Sequence, residues 1–452
     1  MEMVLEFLRD VLSQPALLIG IMSCVGLIAL KRPFHKVMTG TLKPILGYLM
    51  LAAGAGVIVS NLDPLGKMIE HGFHITGVVP NNEAIVAVAQ KVLGVETMSI
   101  LVVGLLMNLC IARFTKFKYV FLTGHHSLFM ACLMSAVLGT AGLSGMELIL
   151  VGGFLMGAWS AISPAIGQSY TSKVTDGDEI AIGHFGSLGY YLSAWVAQYV
   201  GKAEDSTEDI EIPEKWGFLR DSTLSTALTM IVFYLIAAIA AGSEFVSTLS
   251  GDMSPYLYAV MSAMNFAVGV TIVYSGVRMI LGDLIPAFQG IATKIIPNAI
   301  PAVDCAVFFT YAPTAVVLGF LSSFIGGIIG MLILGAVGGV LIIPGLVPHF
   351  FCGATAGIYG NATGGRRGAA VGAFLNGLAI TFLPAMALPV LGQLGFQNTT
   401  FGDADFAVMG LVLGNAYEWV GMAGIYGIVA IAALVLIIPN FIKTKGKVIN
   451  YV

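Results

Sequence analysis

The candidate functional residues of this sequence are ionisable side chains inside otherwise apolar stretches. His125 and His126 follow the turn "LTG", and His184 stands between two glycines in "AIGHFGS". An ionisable group at membrane depth is costly, so it usually faces a pathway or a binding site. A neutral imidazole both donates and accepts a hydrogen bond, which suits the hydroxyl groups of polyols and enediols.

The two adjacent histidines are expected to differ in role. Neighbouring positions on a helix point about 100° apart, so two successive side chains rarely face one site. We expect His125 to face a ligand from the start of its helix and His126 to pack against neighbouring backbone. His184 would approach the same ligand from a second helix start.

Two carboxylates follow breaks in apolar segments, in "PNNEAIVAVA" and "IPAVDCAVFF". Asp304 can accept hydrogen bonds from ligand hydroxyls, or it can cap the free N–H groups of a helix start. Glu83 admits the same two interpretations, because an acid in the first turn of a helix is favoured by the helix dipole. With two polar companions added, the predicted substrate-binding set comprises Asn82, Glu83, His125, His184, Asp304 and Thr314.

The sequence indicates neither a catalytic residue nor a bound metal ion or cofactor. It has no P-loop, and its five cysteines are scattered without CxxC spacing, which is typical of small buried hydrophobic side chains. The formal net charge of −4 offers no general attraction for nucleic acid.

Composition identifies the elements that must position these side chains. Hydrophobic residues make up 57% of the 452 positions and charged residues 10%, against roughly 25% charged in soluble domains. The mean hydropathy is +0.91. The apolar segments are continuous rather than alternating, which excludes a transmembrane β-barrel. The chain is therefore predicted to be an all-α polytopic membrane protein.

About eleven spanning helices fit the length, since each needs about 20 residues. The basic segments 31–36 and 443–447 follow the first and last spans and should be cytoplasmic, which places the N-terminus outside and makes the number of crossings odd. The N-terminus lacks the features of a cleaved signal peptide. The predicted spans are 14–31, 44–61, 97–113, 119–140, 146–163, 184–200, 224–243, 257–275, 315–334, 366–383 and 420–442.

Four apolar segments are too short or too interrupted by Pro and Gly to span: 77–89, 295–317, 342–365 and 382–395. Irregular backbone at membrane depth persists only where protein or a water-filled cavity satisfies it. Interrupted helices in corresponding places of two halves are typical of transporter binding sites.

The halves correspond weakly, and we divide the chain accordingly. "FLTGHHSLFMACL" in the first half has a counterpart in "GLVPHFFCGATAG" in the second. Residues 1–200 form a first repeat, 201–223 a polar linker, and 224–452 a linking helix and a second repeat. From an odd total, with two five-helix halves and one linking span, we predict inverted repeats.

Several segments resemble a known family: "FLTGHHSLFMACL", "VTDGDEIAIGHFGS", "IIPGLVPHFF" and, most specifically, residues 278–319. They resemble the ascorbate-type enzyme IIC of the phosphoenolpyruvate-dependent sugar phosphotransferase system (PTS), over essentially the whole chain. The resemblance implies an inner-membrane homodimer of eleven-helix protomers, each with a sugar-binding core domain and a V-shaped dimerisation domain. It also implies elevator-type movement and a separate phosphorylated IIB partner.

The resemblance also bears on single residues. Three positions match the family's ascorbate site: His125, His184 and Asp304. Three others have lost its amide side chains: Phe129, Phe185 and Gly353. At Asn82 and Glu83 the polar residues differ from those of the family, and Glu83 would repel the ascorbate anion unless it were protonated.

The functional prediction is therefore a IIC permease that translocates L-ascorbate and is coupled to phosphorylation by IIB. Two alternatives stay open: the same family with a neutral sugar or alditol, and a proton-coupled secondary transporter in which Glu83 or Asp304 carries the proton. A purely structural membrane protein is disfavoured by the broken polar segments. The expected partners are the small-molecule substrate, phosphorylated IIB, a second copy of the chain and membrane lipid, without nucleic acid.

Overall fold

The computed structural model describes residues 11, 14–74, 77, 78, 80, 82–177, 179–210, 222–392 and 400–441, apart from some helical side chains such as those of 83–94. The first part of the chain is built from helices, with two short strands between them. In chain order these elements are α1 (Pro15–Ala29), α2 (Phe34–Gly72), α3 (Asn82–Phe114), β1 (Tyr119–Phe121), α4 (Gly124–Thr140), α5 (Gly145–Ile166), α6 (Gln168–Thr175), β2 (Ala181–Ile182) and α7 (Ser187–Val200).

The second part follows a 3-10 turn, Thr207–Asp209, that lies in the polar linker. A second 3-10 segment, Cys305–Thr310, comes directly after the third strand. The remaining elements are α8 (Ser222–Ala241), α9 (Ser243–Ser250), α10 (Pro255–Lys294), β3 (Ile300–Val303), α11 (Pro313–Ala336), α12 (Leu346–Gly392), α13 (Ala404–Val420) and α14 (Met422–Phe441).

Every predicted span coincides at least in part with one of these helices. Within the described residues, seven helices are long and apolar enough to cross a membrane, or eight if α8 and α9, bent by 116°, form one span. The multi-pass helical class is thus confirmed. The count of eleven spans, the inverted repeats and the dimerisation domain stay predictions, and the basic segment 443–447 lies outside the described residues.

Close helix packing depends on glycine. In the crossing of α2 and α10, a Cβ on Gly47 would lie 2.8 Å from the carbonyl oxygen of Gly276, and one on Gly54 would lie 2.7 Å from that of Gly269. Small residues allow the backbones of membrane helices to come this close, and the resulting van der Waals contacts along the crossing stabilise it. The two longest unbroken helices are therefore held together without polar contacts at these positions.

The structure corrects the sequence analysis in one span and at one break. Residues 119–121, which we assigned to a span, form strand β1, and residues 382–392, which we expected to be broken, continue helix α12 through Pro384 and Pro389. Helix α12 instead has its non-helical dihedral angles at Gly364 and Gly365. Proline removes one N–H from a helix, but neighbouring helices and local adjustment make this tolerable in a membrane protein.

The three strands form one small parallel sheet in the order β1-β3-β2. Phe121 pairs with Ala302, and Ile182 pairs with Val303. The strands are buried, so their backbone groups need partners inside the protein, and each strand supplies those of its neighbour. The sheet lies between the two large hydrophobic clusters, because Val120 and Val303 belong to one and Phe121 and Ala302 to the other.

Candidate functional site

The predicted histidines and Asp304 come together at one edge of the small sheet. His125 follows β1 and the turn "LTG", His184 follows β2 by two residues, and Asp304 follows β3 directly. Parallel strands end at the same edge, so the segments that leave them converge there. Two backbone bonds continue the sheet toward this edge, from Leu122 N–H to Ala302 O (2.9 Å) and from Gly183 N–H to Val303 O (2.7 Å).

His125 is the most accessible of the three histidines. Its side chain is 36% exposed, and its Nε2 atom lies 3.5 Å from Oδ2 of Asp304. Its other ring nitrogen, Nδ1, lies 3.4 Å from the hydroxyl of Tyr48 on α2. This arrangement agrees with the expectation that His125 faces a ligand, while its role in binding stays a prediction.

His126 is 3% exposed and packs behind His125. Its ring centroid is 3.8 Å from that of His184, and the Phe185 N–H donates to its Nδ1 over 3.3 Å. The ring of Phe406 stacks on it from α13. The packing against backbone that we expected is present, yet His126 also reaches the cavity described below.

The neighbours of His184 determine which of its nitrogens can donate a hydrogen bond. The Gly186 N–H donates to Nδ1 over 3.1 Å, and the Tyr190 hydroxyl lies 2.8 Å from the same atom. A nitrogen that accepts from a backbone N–H carries no proton, so the neutral ring bears its proton on Nε2. For the same reason the proton of neutral His126 lies on Nε2, since the Phe185 N–H donates to its Nδ1. Both rings are therefore held as donors.

Asp304 combines the two roles that the sequence left open. Its Oδ1 accepts a hydrogen bond from the Ala306 N–H over 3.4 Å, which caps the 3-10 segment, and its Oδ2 faces His125. The residue is 8% exposed. A carboxylate with two oxygens can cap a helix start and still accept from a ligand.

The first break, before α3, brings Asn82 to the site. Its Nδ2 donates to Oδ2 of Asp403 over 2.5 Å, and its Oδ1 accepts from the Gly402 N–H over 2.9 Å. A backbone bridge between Pro80 and Thr400 lies beside these bonds. The side chain of Glu83 lies outside the described part of the structure.

Asp403 is a site residue that the sequence analysis missed. It is 5% exposed, accepts from the Cys352 thiol over 2.8 Å, and has Oδ1 3.9 Å from Nδ1 of His184. The signal was available in "FGDADFAV", where two aspartates precede an apolar helix. An aspartate at a helix start is usually a cap, which is why it attracts little notice.

These side chains lie on a single cavity of about 1260 Å³. Much of its wall is apolar. The wall also includes the polar side chains of Tyr48, Asn82, His125, His126, His184, Asp304 and Asp403. Such a wall, mostly apolar with a few converging polar groups, is typical of a small-molecule site.

The site offers both hydrogen-bond donors and acceptors. The buried imidazole of His184 can donate through Nε2, and the carboxylates of Asp304 and Asp403 can accept, which matches the vicinal hydroxyl groups of a sugar. Two overlapping groups of side chains also have donor atoms within 4.8 Å of one another, close enough to hold a metal ion. These groups are His126, His184 and Asp403, and His184, Asp304 and Cys305.

Thr314 is placed elsewhere. It is at the start of α11, and its N–H and hydroxyl both donate to the carboxylate of Glu208 in the polar linker, over 3.0 and 2.9 Å. It does not line the cavity. The Ala315 N–H donates to the same carboxylate over 3.1 Å, so Glu208 caps the helix from outside.

Comparison with known proteins identifies the family of this chain. Residues 10–405 match the profile of a family, EIIC-GAT, described as the PTS system sugar-specific permease component. The chain therefore belongs to that family and is a multi-pass IIC permease subunit of a phosphotransferase system.

One relative with an assigned substrate is similar over most of the chain. It is the ascorbate-specific PTS system EIIC component of Mycoplasma pneumoniae (strain ATCC 29342 / M129 / Subtype 1). The two are 26% identical over 474 aligned positions, covering 91% of this chain and 70% of the relative.

Proposed function

We propose that this chain translocates L-ascorbate across the inner membrane and delivers it to a phosphorylated IIB partner. The observation that carries the proposal is the edge of the small sheet, where His125, His184 and Asp304 converge on one cavity. The similarity to an ascorbate-specific permease supports the choice of substrate. The enediol and side-chain hydroxyls of ascorbate supply donors for the carboxylates and acceptors for the imidazoles.

The charge around the cavity makes a neutral sugar or alditol the second candidate. Among the described residues that line it, Lys67 is the one lysine or arginine, and it lies on α2 with Asp63 and Glu70. Asp304 and Asp403 place two carboxylates beside the imidazoles. An anion in this site depends on the imidazoles for positive potential, whereas a neutral polyol does not.

The proposed transport cycle moves the sugar site relative to a dimer scaffold. Membership of the IIC permease family supports this proposal. Exposed apolar side chains on the long helix α2, such as Leu42, Leu46 and Leu49, suit contact with lipid or with a second copy of the chain. In this proposal the IIB partner, and not this chain, phosphorylates the translocated substrate.

The decisive experiment measures binding first and coupling second. Purified protein in lipid nanodiscs is titrated calorimetrically with L-ascorbate, galactitol and pentitols. We expect ascorbate to bind and the purified chain to leave it unphosphorylated. Tight binding of galactitol with no binding of ascorbate would replace the first candidate by the second.

Coupling is tested in proteoliposomes that contain phosphorylated IIB. We expect phosphorylated substrate to accumulate on the IIB side, and we expect none when the phosphorylated cysteine of IIB is replaced. Accumulation of unmodified sugar driven by a proton gradient, without IIB, would instead establish a secondary transporter.

A further inference from the structure

The geometry points to Asp403 as a second sugar-binding carboxylate in addition to Asp304, which accepts hydrogen bonds from substrate hydroxyls. This inference rests on the proposed sugar-binding function of the cavity and adds a residue that the sequence comparison did not assign. Three features of Asp403 support it: its position at a helix start, its hydrogen-bond partners, and the bonds by which its neighbour Asp405 holds the start of that helix.

Asp403 stands at the N-cap of α13, but it does not cap that helix. Its side chain accepts no hydrogen bond from the first N–H groups of α13. An N-cap aspartate normally does so, and the bond stabilises the helix. Here the carboxylate is turned toward the cavity, where the Asn82 amide and the Cys352 thiol donate to it. Asp304 differs, because it caps its own 3-10 segment.

The carboxylate of Asp403 has acceptor capacity left over. Two oxygens offer about four acceptor positions, and in the part of the chain that the structure describes each oxygen accepts one hydrogen bond. His184 does not use the remainder. Its Nδ1, at 3.9 Å, already accepts from the Gly186 N–H and therefore has no proton to donate. A buried carboxylate with unused acceptors on a cavity wall is favourable once a donor enters, and a sugar hydroxyl is such a donor.

Hydrogen bonds of Asp405 hold the start of α13, and with it Asp403, in place. The carboxylate of Asp405 accepts from the Leu188 N–H (2.9 Å), the Ser187 hydroxyl (2.8 Å) and the Trp159 indole (3.2 Å), and its own N–H donates to Phe185 O (2.9 Å). Three of these four bonds tie the start of α13 to the segment directly after His184, and the bond from Trp159 ties it to α5. Asp405 is the structural aspartate of the pair, and Asp403, two positions earlier, is the one that reaches the cavity.

The test compares Asp403→Asn with wild type, using L-ascorbate, galactitol and analogues of each that lack a single hydroxyl. Asparagine keeps the shape and can still accept from Asn82, so the protein should fold. Binding of the parent sugar should weaken about tenfold or more. For the analogue that lacks the hydroxyl bound to Asp403, the same substitution should change binding less than about threefold, because the interaction is already absent. Asp252→Asn, an exposed aspartate in the turn before α10, is the matched control and should bind like wild type.

Cys352→Ala gives an independent measurement of the same interaction. Without the thiol, Oδ1 of Asp403 is free to accept from the sugar, so the parent sugar should bind at least as tightly as to wild type. The loss of affinity between the parent sugar and the analogue that lacks the hydroxyl should become larger. The inference is overturned if Asp403→Asn weakens the parent and every analogue equally, if it changes nothing, or if Cys352→Ala leaves this loss of affinity unchanged. Failure of wild-type protein to bind any sugar would instead remove the proposed function itself, and the inference with it.

Discussion

His125 and Asp304 face each other in the cavity, with Nε2 of the imidazole 3.5 Å from Oδ2 of the carboxylate. One residue belongs to the first half of the chain and the other to the second. Their contact therefore joins the halves at the point where the sugar is proposed to bind. A ligand hydroxyl placed between them can donate to the carboxylate and accept from the ring.

The first prediction concerns Asp304→Asn. Asparagine caps a helix start about as well as aspartate, so the 3-10 segment should persist. The loss of the charged acceptor should weaken sugar binding about tenfold or more, because a hydrogen bond to a charged group contributes about 1.5–3 kcal/mol. Calorimetric titration measures the affinity, and the melting temperature in detergent serves as the control for folding. Unchanged affinity would exclude Asp304 from the site.

The second prediction separates the adjacent histidines. His125→Ala should weaken binding about tenfold with little effect on stability, because the side chain is partly exposed and contacts Asp304 and Tyr48. His126→Ala should instead lower stability by about 1–3 kcal/mol, because the buried Phe185 N–H loses its acceptor. Titration and thermal unfolding of both variants distinguish the roles. If His126→Ala abolished binding at unchanged stability while His125→Ala bound normally, our assignment would be reversed.

The third prediction concerns Glu83→Gln. If the native substrate is the ascorbate anion and Glu83 is not charged beside it, this substitution should alter ascorbate affinity less than about threefold. Clearly tighter ascorbate binding by the variant would indicate that the native substrate is neutral. Galactitol, which carries no charge, is the matched control ligand in the same titration.

The fourth prediction concerns the polar linker. Glu208→Ala should reduce stability by about 0.5–2 kcal/mol, because the first N–H groups of α11 lose the carboxylate that caps them. Asp209→Ala, the exposed neighbour, should have no measurable effect. Thermal unfolding of the two variants in matched detergent provides the comparison. Equal melting temperatures for both variants would show that the contact seen at Thr314 does not stabilise the helix.

The fifth prediction concerns the break in α12. Gly365 has φ of +59°, and a Cβ at this position would lie 2.3 Å from the carbonyl oxygen of Lys202. Gly365→Ala should therefore prevent normal packing and give little monodisperse protein on size-exclusion chromatography. Gly56→Ala, on α2, adds a methyl group that meets no atom within 4 Å and should behave like wild type. A well-folded Gly365→Ala protein would mean that the break can relax.

Part of the site was predictable because polar side chains in apolar sequence carry a strong signal. The cost of burying His125, His184 and Asp304 implies partners or a ligand for each, whatever the fold. The sequence could not show which partners these are, because Asp403 and Asn82 are far apart in the chain and meet only after folding. For the same reason Thr314, a polar residue near a break, could not be separated from the cavity residues, although its partner is Glu208.

The class of protein and the approximate positions of its apolar helices can be predicted from the amino-acid sequence alone. Long runs of apolar residues must satisfy their own backbone hydrogen bonds in lipid, and a helix does so locally, within each run. The strands β1, β2 and β3 are two to four residues long, and their pairing joins segments from both halves of the chain. This pairing depends on the tertiary structure, and so does the meeting of His125, His184, Asp304 and Asp403. The hydrogen bonds of so short a sheet form only after the surrounding helices have brought the strands together.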